Sequence, residues 1–285
     1  MSGKVLTVAE SDSCGAAGLQ ADTKTILALG GYAMTAVSAV TSQNTNGIAH
    51  LHTLEPWFVE QQMRVVLEDI GANAIKTGIL VNSEIVNAVG DVLDSYRDHG
   101  IAVVVDPSII ARRGEQLMDE TAIATLKRRL FIRSTVLTPN KREAELLTGM
   151  AIRDIDDMRH AASMMRTLGA ETVLLKAGEA ASGKAVYLLA TESDERIYER
   201  PMIATKRTLG AGATLASAIA VSLSQKMDII TAVERGLDYM HHAMLYARDY
   251  DTEAGPMNHA FAIEKNAEAL AKDMPRTGKV KGSPT

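Results

Sequence analysis

The chain has 285 residues, a formal net charge of -5, 46% hydrophobic but only 4% aromatic residues, and a single cysteine. The acidic balance, with no basic stripe to offset it, argues against a nucleic-acid surface, and no apolar run reaches the roughly 18 residues of a membrane span. The lone Cys14 excludes an internal disulfide, and MSGKVLTVAE enters a strand-like stretch with no signal-peptide core, so a soluble, cytoplasmic protein is expected.

In chain order, Val5 to Ala9 reads as a buried strand, followed by the small-residue loop ESDSCGAAG and a helix from about Leu19. Tyr32 to Val40 is a second strand, with the loop TSQNTNG behind it. Pro56 to Ile70 is helical, its proline suited to a first turn. Ala74 to Thr77 is a strand and Ser83 to Asp98 a helix. Ile101 to Val105 is the clearest strand, a β-branched run of the kind that parallel sheets bury on both faces. Asp106-Pro107 then takes the chain out of the sheet. Helices over Leu117 to Leu130 and from TPNKREAELL bracket a short strand, Thr135 to Leu137. Asp157 to Leu168 is helical and Thr172 to Lys176 a strand, with Ala185 to Leu189 and Arg196 to Glu199 as antiparallel additions. Helices over about Ala211 to Ser224 and Ile229 to Ala247 close the fold. No linker divides residues 1–260, so one domain is expected there, with 261–285 an extension disordered from about Lys272. The alternation implies a mostly parallel sheet with helices on both faces, and ligands beyond the carboxyl ends of its strands.

The loops at those ends hold the candidate residues. The segment TLGAGAT, residues 208–214, opens a small-residue helix whose first-turn amides and dipole favour an anion, most often a phosphate. The same pattern also describes a helix start packed closely on a sheet. Asn140 with Glu143 three residues on is a capping box; the alternative places the Glu143 carboxylate near a metal-bound phosphate. Asp106 and Lys176 each end a strand. The first holds Mg²⁺ indirectly or polarises a substrate, or caps the following turn; the second reaches a phosphate or stays solvated. Ser11, Asp12 and Gln20 either bind a polar ligand or satisfy turn hydrogen bonds. Cys14 has a lowered pKa if it lies near the next helix start, and is otherwise a filler. His241 and His242 lack metal-ligand spacing.

Together the segments SDSCGAAGLQADTKT, LGGYAMTAVSAVTSQNT, AIKTGIL, VVVDPSIIARRG, TPNKREAELLTG, VLLKAGE, TLGAGATLASAIA and GPMNH resemble the hydroxymethylpyrimidine and phosphomethylpyrimidine kinases of thiamine synthesis, a branch of the ribokinase superfamily. The similarity runs from about Val5 to His259. It implies a three-layer α/β sandwich, ATP and Mg²⁺ as cofactors, a small pyrimidine as substrate, and a homodimer. Gln43 would hydrogen-bond the aminopyrimidine ring, with Ala17 and Ile79 as apolar walls. Asp106, Asn140 and Glu143 would arrange Mg²⁺ and the nucleotide phosphates, Asp106 and Glu143 on the metal. Lys176 would stabilise phosphate charge, and the turn Gly210, Ala211, Gly212, Ala213 would form the anion hole for the γ-phosphoryl group. Such a set suits phosphoryl transfer, which needs mainly positioning and charge stabilisation.

The departures gather on the substrate side and the catalytic turn. The family's N-T-H-G-T-G-C-T is RTLGAGAT here, so Ala213 matches the cysteine thought to deprotonate the attacking hydroxyl. The family's A-G-S-D-S becomes AESDS, placing the Glu10 carboxylate where the ring would meet glycine, with Asp12 beside it. Ala16 matches a family glycine, and the family's K-G-G-H is Lys176-Ala177-Gly178-Glu179. Three readings follow: a pyrimidine kinase using Glu10, Asp12 or Asp106 as base, a kinase for another alcohol such as a pyridoxine-type vitamer, and a non-catalytic pyrimidine-binding homologue.

Overall fold

The computed structural model describes residues 3–111, 113–179, 183–261 and 263. The tail expected to be disordered from Lys272 lies outside the described residues. In chain order the elements are β1 (Lys4–Asp12), α1 (Gly18–Ala28), β2 (Tyr32–Asn44), β3 (Gly47–Thr53), α2 (Pro56–Asp69), β4 (Ala74–Thr77), α3 (Ser83–Ser95) and β5 (Ala102–Val105). There follow α4 (Glu120–Leu130), β6 (Val136–Leu137), α5 (Lys141–Thr148), α6 (Ile155–Thr167), β7 (Val173–Glu179), β8 (Lys184–Ala190), β9 (Glu195–Pro201), α7 (Ala211–Ser224) and α8 (Ile229–Leu245).

The sheet order is β3-β2-β1-β4-β5-β6-β7-β8-β9. Strands β2, β1, β4, β5, β6 and β7 run parallel, and β3, β8 and β9 add antiparallel edges. Alternate strand residues feed two separate cores. Leu6, Val8, Val103 and Val105 pack with α2 to α6 through Met63, Val89, Leu126, Leu147 and Met165. Val5, Val104 and Leu174 pack with α1, α7 and α8 through Ile26, Leu215, Ile219 and Leu237. This is the expected three-layer ribokinase-like sandwich. Helix α7 is apolar around most of its circumference because it is buried along nearly its whole length. Among the described residues no helix is long and apolar enough to cross a membrane.

Several boundaries differ from the sequence expectation. Strands β1 and β2 continue to Asp12 and Asn44, past the expected ends at Ala9 and Val40, because they pair with each other through a bulge at Ala9/Ser11. The residues read as the loop TSQNTNG instead enter a hairpin with the unexpected β3. Asn46-Gly47 is a hairpin-turn signal, but GIAHLHT lies at the sheet edge with no apolar run to announce a strand. Helix α4 starts at Glu120 and not at Leu117, because the Asp119 side chain caps it by accepting from the Ala122 amide at 2.7 Å. Helix α3 ends at Ser95 and gives way to a 3-10 turn before Gly100.

The chain winds from β1 to β2 on one side and later to β4 on the other. The crevice at their carboxyl ends is the switch point where such sheets bind ligands.

Candidate active site

The turn before α7 is fixed by close approach. Gly210 N-caps the helix with φ +80° and no side chain caps it, so the first-turn amides have no intrahelical partners. A Cβ at Gly210 would overlap the Ala16 carbonyl group, 2.9 Å from its carbon and 3.3 Å from Ala17 Cα. Only glycine lets this turn seat against the loop after β1. The GPMNH segment braces it from behind. The Leu209 amide donates to Gly255 O at 3.2 Å, Thr214 Oγ1 bonds His259 Nε2 at 2.9 Å, and Tyr239 Oη donates to His259 O at 2.8 Å. Burial pulls the His259 pKa down to about 4, so this brace is a neutral imidazole at physiological pH.

Charged groups from three strand ends converge on the turn. Asp106 follows β5; its Oδ1 accepts from Lys176 Nζ at 3.3 Å and Thr138 Oγ1 at 3.2 Å, and its Oδ2 from Ser108 Oγ at 3.2 Å. A Cβ on Gly212 would lie 3.6 Å from both Asp106 Oδ2 and Lys176 Nζ, so the pair faces the turn directly. The capping box forms: Asn140 Oδ1 accepts from the Glu143 amide at 3.0 Å and Glu143 Oε2 from the Asn140 amide at 2.9 Å. Glu143 Oε1 also accepts from the Ile109 amide at 3.0 Å. Burial first and Asp106 second push its pKa up to about 7, against Lys176. Structural and chemical readings of Glu143 therefore coexist at one side chain.

Asp106 and Glu143 are hard oxygen donors, as Mg²⁺ requires, and among the described residues no set of three or more His, Cys, Asp or Glu side chains forms a protein cage. Mg²⁺ characteristically keeps several waters and takes one or two carboxylates beside substrate phosphates. Each Glu143 oxygen accepts one amide and Asp106 Oδ2 one hydroxyl, which leaves a lone pair on each, so both Asp106 and Glu143 would be able to reach the ion, directly or through water. The residues fit the ion on those terms.

Two cavities meet here. The smaller, about 270 Å³, is lined by Glu10, Ala17, Gln43 and Ile79 at one end and by Asp106, Asn140, Glu143, Lys176 and Gly210 to Ala213 at the other. The larger, about 540 Å³, runs from Asn140, Lys176 and Gly212 to Tyr187, Arg200, Met240, His241 and Met244. Tyr187, Arg200, Met240 and Met244 were not singled out in the sequence. They come from β8, β9 and α8, and no local pattern links them.

The end lined by Ala17, Gln43 and Ile79 holds the Glu10 departure. Glu10 is 4% exposed, and its carboxyl lies between Gly18 and Gly78. Burial pushes its pKa up to about 8, against Lys76 and the amides of Glu10 and Ile79. Asp12, expected among the substrate contacts, is not on the cavity wall. Its carboxylate accepts from the amides of Cys14, Ala16 and Ala17 at 2.8, 2.9 and 2.8 Å and so shapes the loop. Gln20 likewise ties Ser11 and the Asp12 amide together. Cys14 sits four residues before α1 begins, packed near Ala16 and Leu209, and burial and Asp12 raise its pKa; the conditional expectation of a lowered value does not hold. Beneath the cavity is a buried ion pair absent from the sequence reading: Lys76 Nζ contacts both Asp22 oxygens at 2.9 Å, and Ser217 Oγ donates to Asp22 at 2.7 Å. QAD and AIKT carried its signal, a charge in each of two apolar elements.

The family model for phosphomethylpyrimidine kinase matches residues 12–258. The chain is 42% identical over 262 residues to the thiamine biosynthesis bifunctional protein ThiED of Geobacter sulfurreducens, covering 92% of this chain but only 53%, about half, of that relative. It is 38% identical over 265 residues to the hydroxymethylpyrimidine/phosphomethylpyrimidine kinase of Bacillus subtilis, covering 93% of this chain and 97% of that one. Among solved structures, a Bacillus subtilis pyridoxal kinase in complex with ADP superposes with a TM-score of 0.84 at 29% identity, covering 93% of this chain and all of that one. A glycine-capped turn where two cavities join, within a family match spanning nearly the whole described chain, leads to one assignment: this protein belongs to the phosphomethylpyrimidine kinases, ATP-dependent phosphotransferases of ribokinase-like fold.

Proposed function

We propose that the protein transfers the γ-phosphoryl group of ATP to hydroxymethylpyrimidine, to its phosphate, or to both. The observation that carries this reading is the meeting of the two cavities at Thr208, Ala211 and Gly212, where α7 begins. The nucleotide occupies the larger cavity, its phosphates against Asn140 and Lys176 and its γ-phosphoryl group on the first-turn amides of α7. The acceptor ring occupies the smaller cavity, between Ala17 and Ile79, with Gln43 on its polar edge. Asp106 and Glu143 would hold Mg²⁺, which supplies countercharge to the phosphates.

The acceptor oxygen bonds to the γ-phosphorus as the bond to the bridging oxygen breaks, ADP departs, and a hydroxyl acceptor loses its proton. Ala213 cannot take that proton. Asp106 Oδ2, which faces Gly212, is the nearest described carboxylate oxygen to the turn, and positioning and charge stabilisation supply the rest. We also propose one kinase domain over residues 1–260, acting as a cytoplasmic homodimer; sedimentation would check the dimer. A second reading, phosphorylation of a pyridoxine-type alcohol, is favoured by the likeness to the pyridoxal kinase.

The test is ADP release from ATP and Mg²⁺ with hydroxymethylpyrimidine or its phosphate, beside pyridoxine, for the parent and for Ala213→Cys. Pyrimidine-dependent turnover by the parent supports the proposal. General-base assistance is worth about 10²–10⁴-fold, so the cysteine variant should be faster. Turnover with pyridoxine alone favours the second reading. Silence from both proteins with every acceptor, with ligand-induced thermal stabilisation retained, makes the chain a binding protein.

A further inference from the structure

The acceptor cavity contains a carboxyl group that the transfer chemistry does not use. Glu10 leaves the end of β1 and enters a slot that two glycines keep open. A Cβ at Gly18 would lie 2.7 Å from its Oε1, and one at Gly78 would lie 3.7 Å from its Oε2. The slot opens on the same cavity as Ala17, Gln43 and Ile79. At 4% exposure, a polar partner there meets Glu10 with little water between them.

We propose that Glu10 determines acceptor specificity by pairing, through both carboxyl oxygens, with an amidine-type edge of the acceptor ring: an amino group beside a ring nitrogen. This rests on the reading of the smaller cavity as the acceptor site and adds the chemical feature that the cavity selects.

The groups facing Glu10 define its protonation. From β4 comes Lys76, whose ammonium is bound to both oxygens of Asp22 on α1. Asp22 in turn takes the Ser217 hydroxyl from α7. The cation is thus matched within its own pair and leaves Glu10 without a dedicated counter-charge. Burial then dominates, and with a pKa of about 8 the group is a neutral acid at pH 7. A neutral carboxyl offers one O–H donor and one carbonyl acceptor side by side. An aminopyrimidine edge presents the complement: a ring-nitrogen acceptor and an N–H donor. A ring carrying a hydroxyl without the amino group lacks that complement and leaves part of a buried polar group unpaired, a loss a desolvated site does not tolerate. Once ionised, Glu10 keeps the amino contact but loses its donor and opposes the lone pair of the ring nitrogen.

The experiment is calorimetric titration of hydroxymethylpyrimidine, a weak base that is neutral above pH 7, into the parent, Glu10→Gln and Glu10→Gly at pH 7, 8 and 9. The parent should bind about tenfold more weakly at pH 9 than at pH 7, as expected for a group that must be protonated and titrates near 8. Glu10→Gln keeps a donor and an acceptor at every pH, so its profile should be flat and close to the parent's pH 7 affinity. Glu10→Gly should be flat and at least about tenfold weaker at pH 7, since it leaves the amidine edge unpaired. A parent profile as flat as that of Glu10→Gln overturns the proposal. So does Glu10→Gly binding as tightly as the parent at pH 7, or no detectable binding by the parent. Parallel ADP-release assays separate the two claims. Turnover with a flat binding profile leaves the kinase reading standing without this role for Glu10. The expected profile without turnover keeps the role and removes the kinase reading.

Discussion

On the side of the Gly210 turn proposed for the nucleotide, Asp106 pairs with Lys176 and Asn140 with Glu143 through hydrogen bonds. On the acceptor side, a glycine of the family pattern has become Glu10, a second has become Ala16, and the family cysteine has become Ala213. In the first region each of these groups is oriented by a partner. The second contains a carboxyl with no cation of its own and an alanine with no proton chemistry. Phosphate recognition demands fixed donors and charges in one geometry, whereas an acceptor cavity is free to change the ring edge it reads.

Breaking the support under both sides should have the largest effect. Lys76→Met leaves Asp22 charged and buried, at a cost of about 3–5 kcal/mol in chemical denaturation, and adding Asp22→Leu should recover most of it. On the nucleotide side, Lys176→Met removes a charge facing the turn. Its kcat should fall by about 10²–10³, the usual loss for one electrostatic stabiliser, in folded protein whose melting temperature also drops because the buried Asp106 loses its cation.

The acceptor side is sharpened by Glu10→Gln. The folded pKa of Glu10, about 8, lies above its ordinary value of 4.5, so the native state holds an extra proton between those values. The parent is therefore relatively most stable below pH 4.5 and loses stability as pH rises through 8. The amide variant avoids that loss and should be more stable at pH 8, by about 4 kcal/mol, with the gap narrowing to about 1 kcal/mol at pH 5. A gap independent of pH would show that Glu10 does not titrate there. The smallest effect lies outside both regions. Arg159 bridges the exposed Asp156 and Glu195, and Arg159→Ala should leave melting and turnover unchanged.

Much of the architecture was legible in the residues. β-branched runs such as AVVV, helical periodicity and capping residues marked most elements, because they report local backbone preference and burial. The β3 edge strand was not legible, since its stability comes from pairing with β2 and not from its own apolar content. Nor was the start of α4, where the cap at Asp119 overrode the pattern. At the site, the glycine turn, Asp106, Asn140, Glu143 and Lys176 were readable because loops after parallel strands must converge. On sequence Asp12 stands beside Glu10 as a substrate contact; both lie on β1, but the bulge between Ala9 and Ser11 breaks the strand's register, and Glu10 lines the cavity while the Asp12 carboxylate accepts the loop amides of Ala16 and Ala17.

By itself the sequence determined the layered α/β fold, the family, and the fact that Ala213 and Glu10 stand where the family has other residues. Only the tertiary structure decided what those residues face. It brought Gly18 and Gly78, sixty residues apart, around one carboxyl. It joined Lys76 to Asp22 beneath the cavity, and it assembled the second cavity from β8, β9 and α8. The reason is physical: local propensity is written over a few neighbouring residues. Burial, charge partners and cavity walls arise from contacts between distant segments, which exist only once the chain has folded.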